Sequence, residues 1–156
     1  MPDRERDATG KPLNGRPRDG LGRPLARGAV GVERIPDDLR LPPDEAITRA
    51  QELLDASMPF HAHEILEGTW KDSLEPERRL WQGLAQLAVG LTHVLRGNVV
   101  GARSLLRQGH DRIRDYELDP PHGLDISGLL SWSEGLLDQL DAGALPPAPT
   151  VPRLLS

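Results

Sequence analysis

Apolar residues recur at intervals of three and four from Pro43 onward, which is the spacing that places side chains on one face of an α-helix. In the longest such segment the leucines follow one another at four, three and four residues, at Leu80, Leu84, Leu87 and Leu91. The pattern predicts five helices, at about residues 43–56, 59–71, 75–97, 98–113 and 126–141. No segment shows the strict alternation of a β-strand. We therefore expect an all-α fold, a compact five-helix bundle with short connections.

The first 43 residues have a different pattern, in which Gly and Pro recur together as GKPL, GRPR and GRPL. Proline fixes φ and removes a donor, and glycine resists ordering, so neither a helix nor a central strand is expected there. We divide the chain into an extended or flexible arm at 1–43, a helical domain at 44–143 and a Pro-rich tail at 144–156 that is extended or frayed. Two alternatives remain open for the arm. It lacks fixed contacts, or its leucines dock on the domain or on a second subunit.

Charge and composition narrow the classes of function. The arm has nine Lys/Arg against seven Asp/Glu, and the remainder has ten against seventeen, so the helical part is acidic. A net charge of −5 makes a general nucleic-acid binder unlikely. The chain has no cysteine, which excludes disulfides and thiolate chemistry. The charged N-terminus lacks the apolar core of a signal peptide, and no apolar run could span a bilayer. We expect a cytoplasmic protein without a membrane partner.

The side chains that could bind a metal or act in catalysis are concentrated in the second predicted helix. They lie in FHAHEILEGTW, residues 60 to 70. On a helical wheel one stripe contains Phe60, His63, Leu66, Glu67 and Trp70. We expect this stripe to pack against the bundle, with Glu64 at its edge and His61 pointing away.

Three interpretations of the His63 and Glu67 pair remain open, because residues four apart are neighbours on a helix. The two side chains form a buried structural pair, or they supply two of several ligands to a divalent metal, or they act as an acid–base pair. The sequence HEILE is not the HExxH of zinc proteases, because Glu67 stands where the second histidine would be.

The third predicted helix offers polar partners for this pair. Arg79, Gln86 and His93 are spaced by seven and share a stripe, with Gln82 beside it. Gly83 and Gly90, also seven apart, would let another helix approach closely. We expect Gln86 and His93 to face the His63 and Glu67 pair.

The candidate metal or polar site is therefore His63, Glu67 and His93, with supporting residues Glu64, Trp70, Arg79, Gln82 and Gln86. The alternative is that Gln82, Gln86 and His93 form a solvated or merely hydrogen-bonded edge.

An ordered series of motifs carries a family resemblance. HxxxExxW at 63–70 follows Pro59-Phe60, and after it come ERR at 77–79, QGLAQLA at 82–88, His93, and RGN at 96–98 with Gly101-Ala102. Over about residues 57–110 this series resembles the prokaryotic family catalogued as domain of unknown function 309, and the Gly-Arg-Pro arm is similar to that of actinobacterial members. The resemblance implies a bacterial, all-helical protein whose motif is proposed to bind metal. It implies no reaction, and His61 stands where many members have an acidic residue.

These observations define competing hypotheses of function. One is a small metal-binding protein or metal-dependent hydrolase that holds a divalent metal through His63, Glu67 and His93 or Gln86. Another is a non-enzymatic helical interaction module, because the third and fourth helices resemble a tetratricopeptide hairpin. A third is an acid–base enzyme without metal. No cofactor or substrate is identified beyond the divalent metal. The apolar fifth helix and the leucines of the arm make a homo-oligomer plausible.

Overall fold

A computed structural model of the chain describes residues 40–146 and 148–156. The predicted arm lies outside these residues, except for its last four positions. The five predicted helices are confirmed, as α1 (Pro43–Asp55), α2 (Pro59–Asp72), α3 (Glu77–Leu95), α4 (Val99–Ile113) and α5 (Ile126–Asp141). Single 3-10 turns at Arg114–Tyr116 and Pro121–Gly123 connect α4 to α5. In the described part of the chain there is no β-strand, so the all-α fold class is confirmed.

Local sequence signals set the helix boundaries. Proline occupies the first turn of α1 and of α2, where a missing N–H costs nothing. Gly97, with φ of 77°, terminates α3 in the left-handed conformation that glycine favours. Asn98 caps α4, because its Oδ1 accepts a hydrogen bond from the amide of Gly101 at 3.1 Å. Asp125 caps α5 in the same way, through the amide of Gly128.

The longest helix, α3, lies at the centre of the fold. It packs against α2 on one side and α4 on the other, while α1 packs on α2 and α5 on α4. Trp81 of α3 is fully buried, as is Leu80 beside it. The hydrophobic core is continuous from Ile47 in α1 to Leu140 in α5. A single chain of neighbouring helices therefore shares one core.

Glycine allows α3 and α4 to approach closely. A Cβ built on Gly83 would lie 2.8 Å from Cγ2 of Ile113, and one on Gly90 would lie 2.7 Å from Cγ of Leu106. A Cβ on Gly109 would lie 2.8 Å from the backbone oxygen of Gly83. The prediction that another helix approaches at Gly83 and Gly90 is confirmed, and that helix is α4.

The C-terminal tail packs against α1 and the loop before α5. The amide of Leu154 donates to Oε1 of Gln51 at 2.8 Å, and the carbonyl of Leu154 accepts from the amide of Asp125 at 2.8 Å. The side chain of Leu154 is only 3% exposed. Trp132 of α5 donates its indole N–H to the carbonyl of Thr150 at 2.9 Å. At these residues the tail is extended and docked; it is not frayed.

Substituting Gly109→Ala should destabilise the protein by about 1–3 kcal/mol, because the new methyl group would meet backbone that a side-chain rotation cannot move. Gly135→Ala in α5 is the matched control, since a Cβ there meets nothing within 4 Å. It should be neutral or stabilise by up to about 1 kcal/mol. Urea unfolding followed by circular dichroism measures both variants. Equal stability of the two would contradict the close approach of α3 and α4.

Candidate functional site

The central feature of the candidate site is a line of polar contacts along α2. Nε2 of His63 lies 2.9 Å from Oε2 of Glu67, and the other oxygen of Glu67 lies 3.4 Å from Nζ of Lys71. Nδ1 of His63 lies 3.3 Å from the carbonyl oxygen of Phe60. All these partners belong to one helix, at spacings of three and four. We call this set of contacts the His63–Glu67–Lys71 ladder.

The partners of His63 are hydrogen-bond acceptors. The carbonyl oxygen of Phe60 can only accept, so Nδ1 is the donor in that contact. The hydrogen bond from His63 lowers the pKa of Glu67 to about 2, against the opposing effect of burial and with help from the charges of His63 and Lys71. Nε2 of His63 faces this carboxylate at 2.9 Å. His63 thus lies between two hydrogen-bond acceptors.

The structure corrects the predicted orientation of α2. The side chains of His63 and Glu67 are 20% and 32% exposed, whereas His61, expected to point away, is 1% exposed. The buried side is centred on Ala62, Leu66 and Thr69. The helical wheel predicted that the stripe containing Phe60, His63 and Trp70 faces the bundle, and these three side chains are half-buried. The prediction was wrong because small side chains mark the places where neighbouring helices come closest.

The prediction that Gln86 and His93 of α3 face the His63–Glu67 pair is also wrong. Oε1 of Gln86 accepts from Arg112 at 3.1 Å, and its Nε2 donates to Gln108 at 3.3 Å, so Gln86 is bonded to α4. Nδ1 of His93 accepts from Nδ2 of Asn98 at 3.1 Å. Burial, and secondarily the charge of Arg96, lower the pKa of His93. Gly83 and Gly90 bring α4 to this flank of α3, so its polar groups pair there. The hydrogen-bonded-edge alternative describes them correctly.

The other supporting residues have separate environments. The guanidinium of Arg78 lies 5.5 Å from the ring centroid of Trp70, a cation–π distance. Arg79 forms a long ion pair of 3.9 Å with Asp115, beyond the end of α4. Gln82 is half-buried on α3, and Glu64 is half-buried on α2. Trp70 thus stacks with a neighbouring cation as well as contacting the core.

The donor set does not fit a divalent metal. Such an ion takes about four ligands at roughly 2.0–2.3 Å. Within residues 40–146 and 148–156 no three His, Asp or Glu side chains are placed to hold one ion. The ladder supplies two donors that already bond each other, and His93 is bonded toward α4 instead.

A second polar cluster, at the start of α3, was missed by the sequence reasoning. Nε2 of His122 lies 2.5 Å from Oε1 of Glu77, which also accepts from the indole of Trp81 at 3.4 Å. The hydroxyl of Tyr116 donates to the carbonyl of Pro76. His122 adopts a left-handed φ of 57°, which is uncommon for a residue with a Cβ. The sequence signalled only a turn at PPHG, since Glu77 is distant along the chain.

His110 connects α4 to α5. Nδ1 of His110 lies 3.0 Å from Oδ1 of Asp111, and Nε2 lies 2.9 Å from Oε2 of Glu134. The contact with Glu134 spans the two helices, so His110 fastens α5 to α4. The sequence carried no signal for it beyond the adjacency of His110 and Asp111.

Fold and site define a small helical protein with a central α3–α4 hairpin and a His-Glu-Trp motif at the edge of its second helix. Residues 47–105 match the model of the family described as domain of unknown function 309, which confirms the resemblance predicted from the motifs. An "Uncharacterized protein YpuF" of Bacillus subtilis (strain 168) is 36% identical over 90 residues, which are 53% of this chain and 48% of that protein.

The chain thus spans about half the length of the curated relative that it matches. No solved structure matches it. Among the described residues, no helix is both long and apolar enough to cross a membrane.

Substituting Glu67→Gln should flatten the acid limb of the stability profile. A carboxyl whose pKa falls from 4.5 to about 2 on folding stabilises the folded state above pH 4.5, and this contribution is lost as the pH falls toward 2. Urea unfolding at about pH 6 and about pH 3 should show a larger loss in the wild type than in the variant. Glu45→Gln, on the exposed side of α1, is the control and should keep the wild-type profile. Identical profiles for wild type and Glu67→Gln would refute the role of the ladder.

Proposed function

We propose that the protein is a non-enzymatic helical interaction module in which the His63–Glu67 pair is a structural contact of α2. The observation that carries the proposal is that the polar atoms of the pair are already bonded within the helix. Both ring nitrogens of His63 have acceptors, and the two oxygens of Glu67 have His63 and Lys71 as partners. A general base or a metal ligand needs an available lone pair, and the polar atoms of this pair are already engaged in these contacts.

A metal-binding protein or metal-dependent hydrolase, the other function considered from the sequence, has less support. Metal binding would require His63 to give up its contact with Glu67 or with Phe60. The described residues place no third carboxylate or imidazole beside the pair. The interpretation as an acid–base enzyme has less support for the same reason. A base at His63 would first have to break its contacts with Glu67 and Phe60.

One end of the bundle offers apolar surface for a partner. Leu74 is 83% exposed and Leu118 is 100% exposed. The bond from Tyr116 to the carbonyl of Pro76 holds the segment that carries Leu118 against the turn that carries Leu74. Leu74 and Leu118 are thus two exposed leucines on either side of the Tyr116–Pro76 hydrogen bond. This apolar surface supports self-association, in which the partner is a second copy of this chain.

The structural role of the pair predicts that His63→Ala folds and loses about 1 kcal/mol or less, because the pair is local and partly exposed. Protein purified without a histidine tag should contain no stoichiometric metal, and chelation should leave its melting temperature unchanged. Elemental analysis and calorimetry measure these quantities. Stoichiometric metal in the wild type that disappears in His63→Ala would overturn the proposal in favour of a metal site.

Self-association predicts that the sedimentation coefficient rises with protein concentration in the wild type, and that the Leu74→Ser, Leu118→Ser double variant abolishes this rise. The matched control is Val100→Ser, which removes an 81% exposed apolar side chain at the opposite end of α3 and α4. That variant should behave as the wild type. A wild type that stays monomeric at every concentration would eliminate a second copy as the partner.

A further inference from the structure

Residues 150–156, which we call the docked tail, are held largely through their backbone. Their carbonyl oxygens accept hydrogen bonds at three alternate positions: Thr150 from Trp132 at 2.9 Å, Pro152 from Gln51 at 3.1 Å and Leu154 from Asp125 at 2.8 Å. The carboxamide of Gln51 also accepts from the amide of Leu154 at 2.8 Å, so it pairs with the tail as a neighbouring strand would. Backbone contacts of this kind are typical of sites that bind extended peptides. We call this site, between α1 and the loop before α5, the tail groove.

The side chains of the docked tail indicate the specificity of the groove. Pro152 and Leu154 are buried and Arg153 between them is exposed, which is the alternation of an extended segment on a surface. The guanidinium of Arg153 pairs with Oδ1 of Asp55 at 2.9 Å. The same oxygen accepts from the carboxamide of Gln51 at 3.0 Å, so Asp55 both binds the cation and orients Gln51. The groove therefore fits proline, a basic residue and leucine in succession.

A cavity of about 220 Å³ lies between α1 and the docked tail. The residues that line it include Ile47, Glu52 and Asp55 of α1 and Arg153 and Leu155 of the tail. Ile47 supplies an apolar side chain, and the two carboxylates suit a basic segment. Leu155 is 44% exposed, so its side chain is only partly covered at the cavity. A larger apolar side chain at the position of Leu155 would fill more of this space and bury more apolar surface.

We propose that the tail groove binds an extended peptide of another protein, in which proline, a basic residue and leucine are followed by an aromatic residue. The aromatic side chain enters the cavity, and the chain's own tail occupies the groove until the peptide displaces it. The proposal rests on the function as an interaction module and adds the chemistry of its partner.

Competition with the chain's own tail identifies the source of this peptide. The docked tail is tethered to α5 through the short linker at 142–149, and tethering of this kind gives an effective concentration on the order of millimolar. A second copy offers the same Leu155, so its tail fits the groove no better than the tethered one. A separate protein with a larger side chain at that position gains contacts that offset the competition.

The first experiment measures peptide binding by the full-length chain, using fluorescence anisotropy of labelled TVPRLLS, the sequence of residues 150–156. A Leu154→Asp variant, which releases the chain's own tail, should bind this peptide at least about tenfold tighter than the wild type does, because the tethered competitor is removed. The same peptide with Leu155→Trp should bind severalfold tighter still. Leu145→Asp, a change of a partly exposed leucine before the docked tail, is the matched control and should bind as the wild type does.

A folded Leu154→Asp variant that does not bind TVPRLLS would overturn the proposal, as would equal affinity for the two peptides. Circular dichroism establishes that the variant is folded. If it is not folded, Arg153→Glu replaces it in the protein, because this exposed substitution leaves the apolar contacts of the tail in place and repels Asp55.

The second experiment tests the pairing of the basic residue with Asp55. In the tail-released variant, TVPRLLS should bind severalfold tighter than the same peptide with Arg153→Gln. Adding Asp55→Asn to the protein removes the negative charge but keeps an acceptor oxygen for Gln51, so it should abolish the preference for arginine. A preference that persists in the Asp55→Asn protein would overturn the assignment of the basic residue to this site.

Sedimentation distinguishes a separate partner from a second copy. Leu154→Asp should leave the concentration dependence of the wild type unchanged, because the exposed Leu74 and Leu118 lie outside the groove. Loss of association in Leu154→Asp would assign the groove to the tail of a second copy and overturn the proposal. The Leu74→Ser, Leu118→Ser variant should bind the peptides as the wild type does, so failure of self-association and failure of peptide binding are separate results.

Discussion

The contact between the backbones of α3 and α4 is the constraint on which the rest of the structure depends. Gly83, Gly90 and Gly109 bring the two helices so close that a Cβ at any of them would overlap its neighbour. Close packing of this kind gives many weak attractions and leaves little space for adjustment. The close approach of α3 and α4 also determines which partners the polar side chains of α3 can reach. The flank of α3 that carries Gln86 and His93 lies against α4, so these groups find their partners there and are not available to α2.

This arrangement explains the position of the His63–Glu67–Lys71 ladder. The polar flank of α3 lies against α4 and does not face α2. The side of α2 that packs on α3 and α1 is therefore lined mainly by apolar and small residues. The ladder lies at the edge of that side. A partly exposed pair avoids most of the desolvation penalty that a buried ion pair incurs. The low pKa of Glu67 is then the result of a local hydrogen bond together with nearby cations, and no catalytic environment is needed to produce it.

The features that the sequence predicted correctly are local. Helix boundaries follow from proline, glycine and the spacing of leucines, and Asn98 caps α4 through an amide three residues away. The close approach at Gly83 was also predictable, but the identity of the approaching helix was not. Contacts such as His122 with Glu77, 45 residues apart, and Leu154 with Gln51, 103 apart, depend on the assembled fold. The orientation of α2 failed for a related reason, since the rotation of a helix depends on all its neighbours.

The C-terminal tail meets a physical need of the first helix. Among the five helices, α1 has α2 as its packing partner, so one helix alone must cover its apolar stripe. The C-terminal tail completes that cover, because Leu154 is buried, its amide bonds Gln51, and Arg153 pairs with Asp55 at 2.9 Å. In a linear series of helices, the first helix has only one neighbour and part of its apolar stripe stays uncovered. An extended segment that carries apolar and basic residues, such as the C-terminal tail, can cover that part.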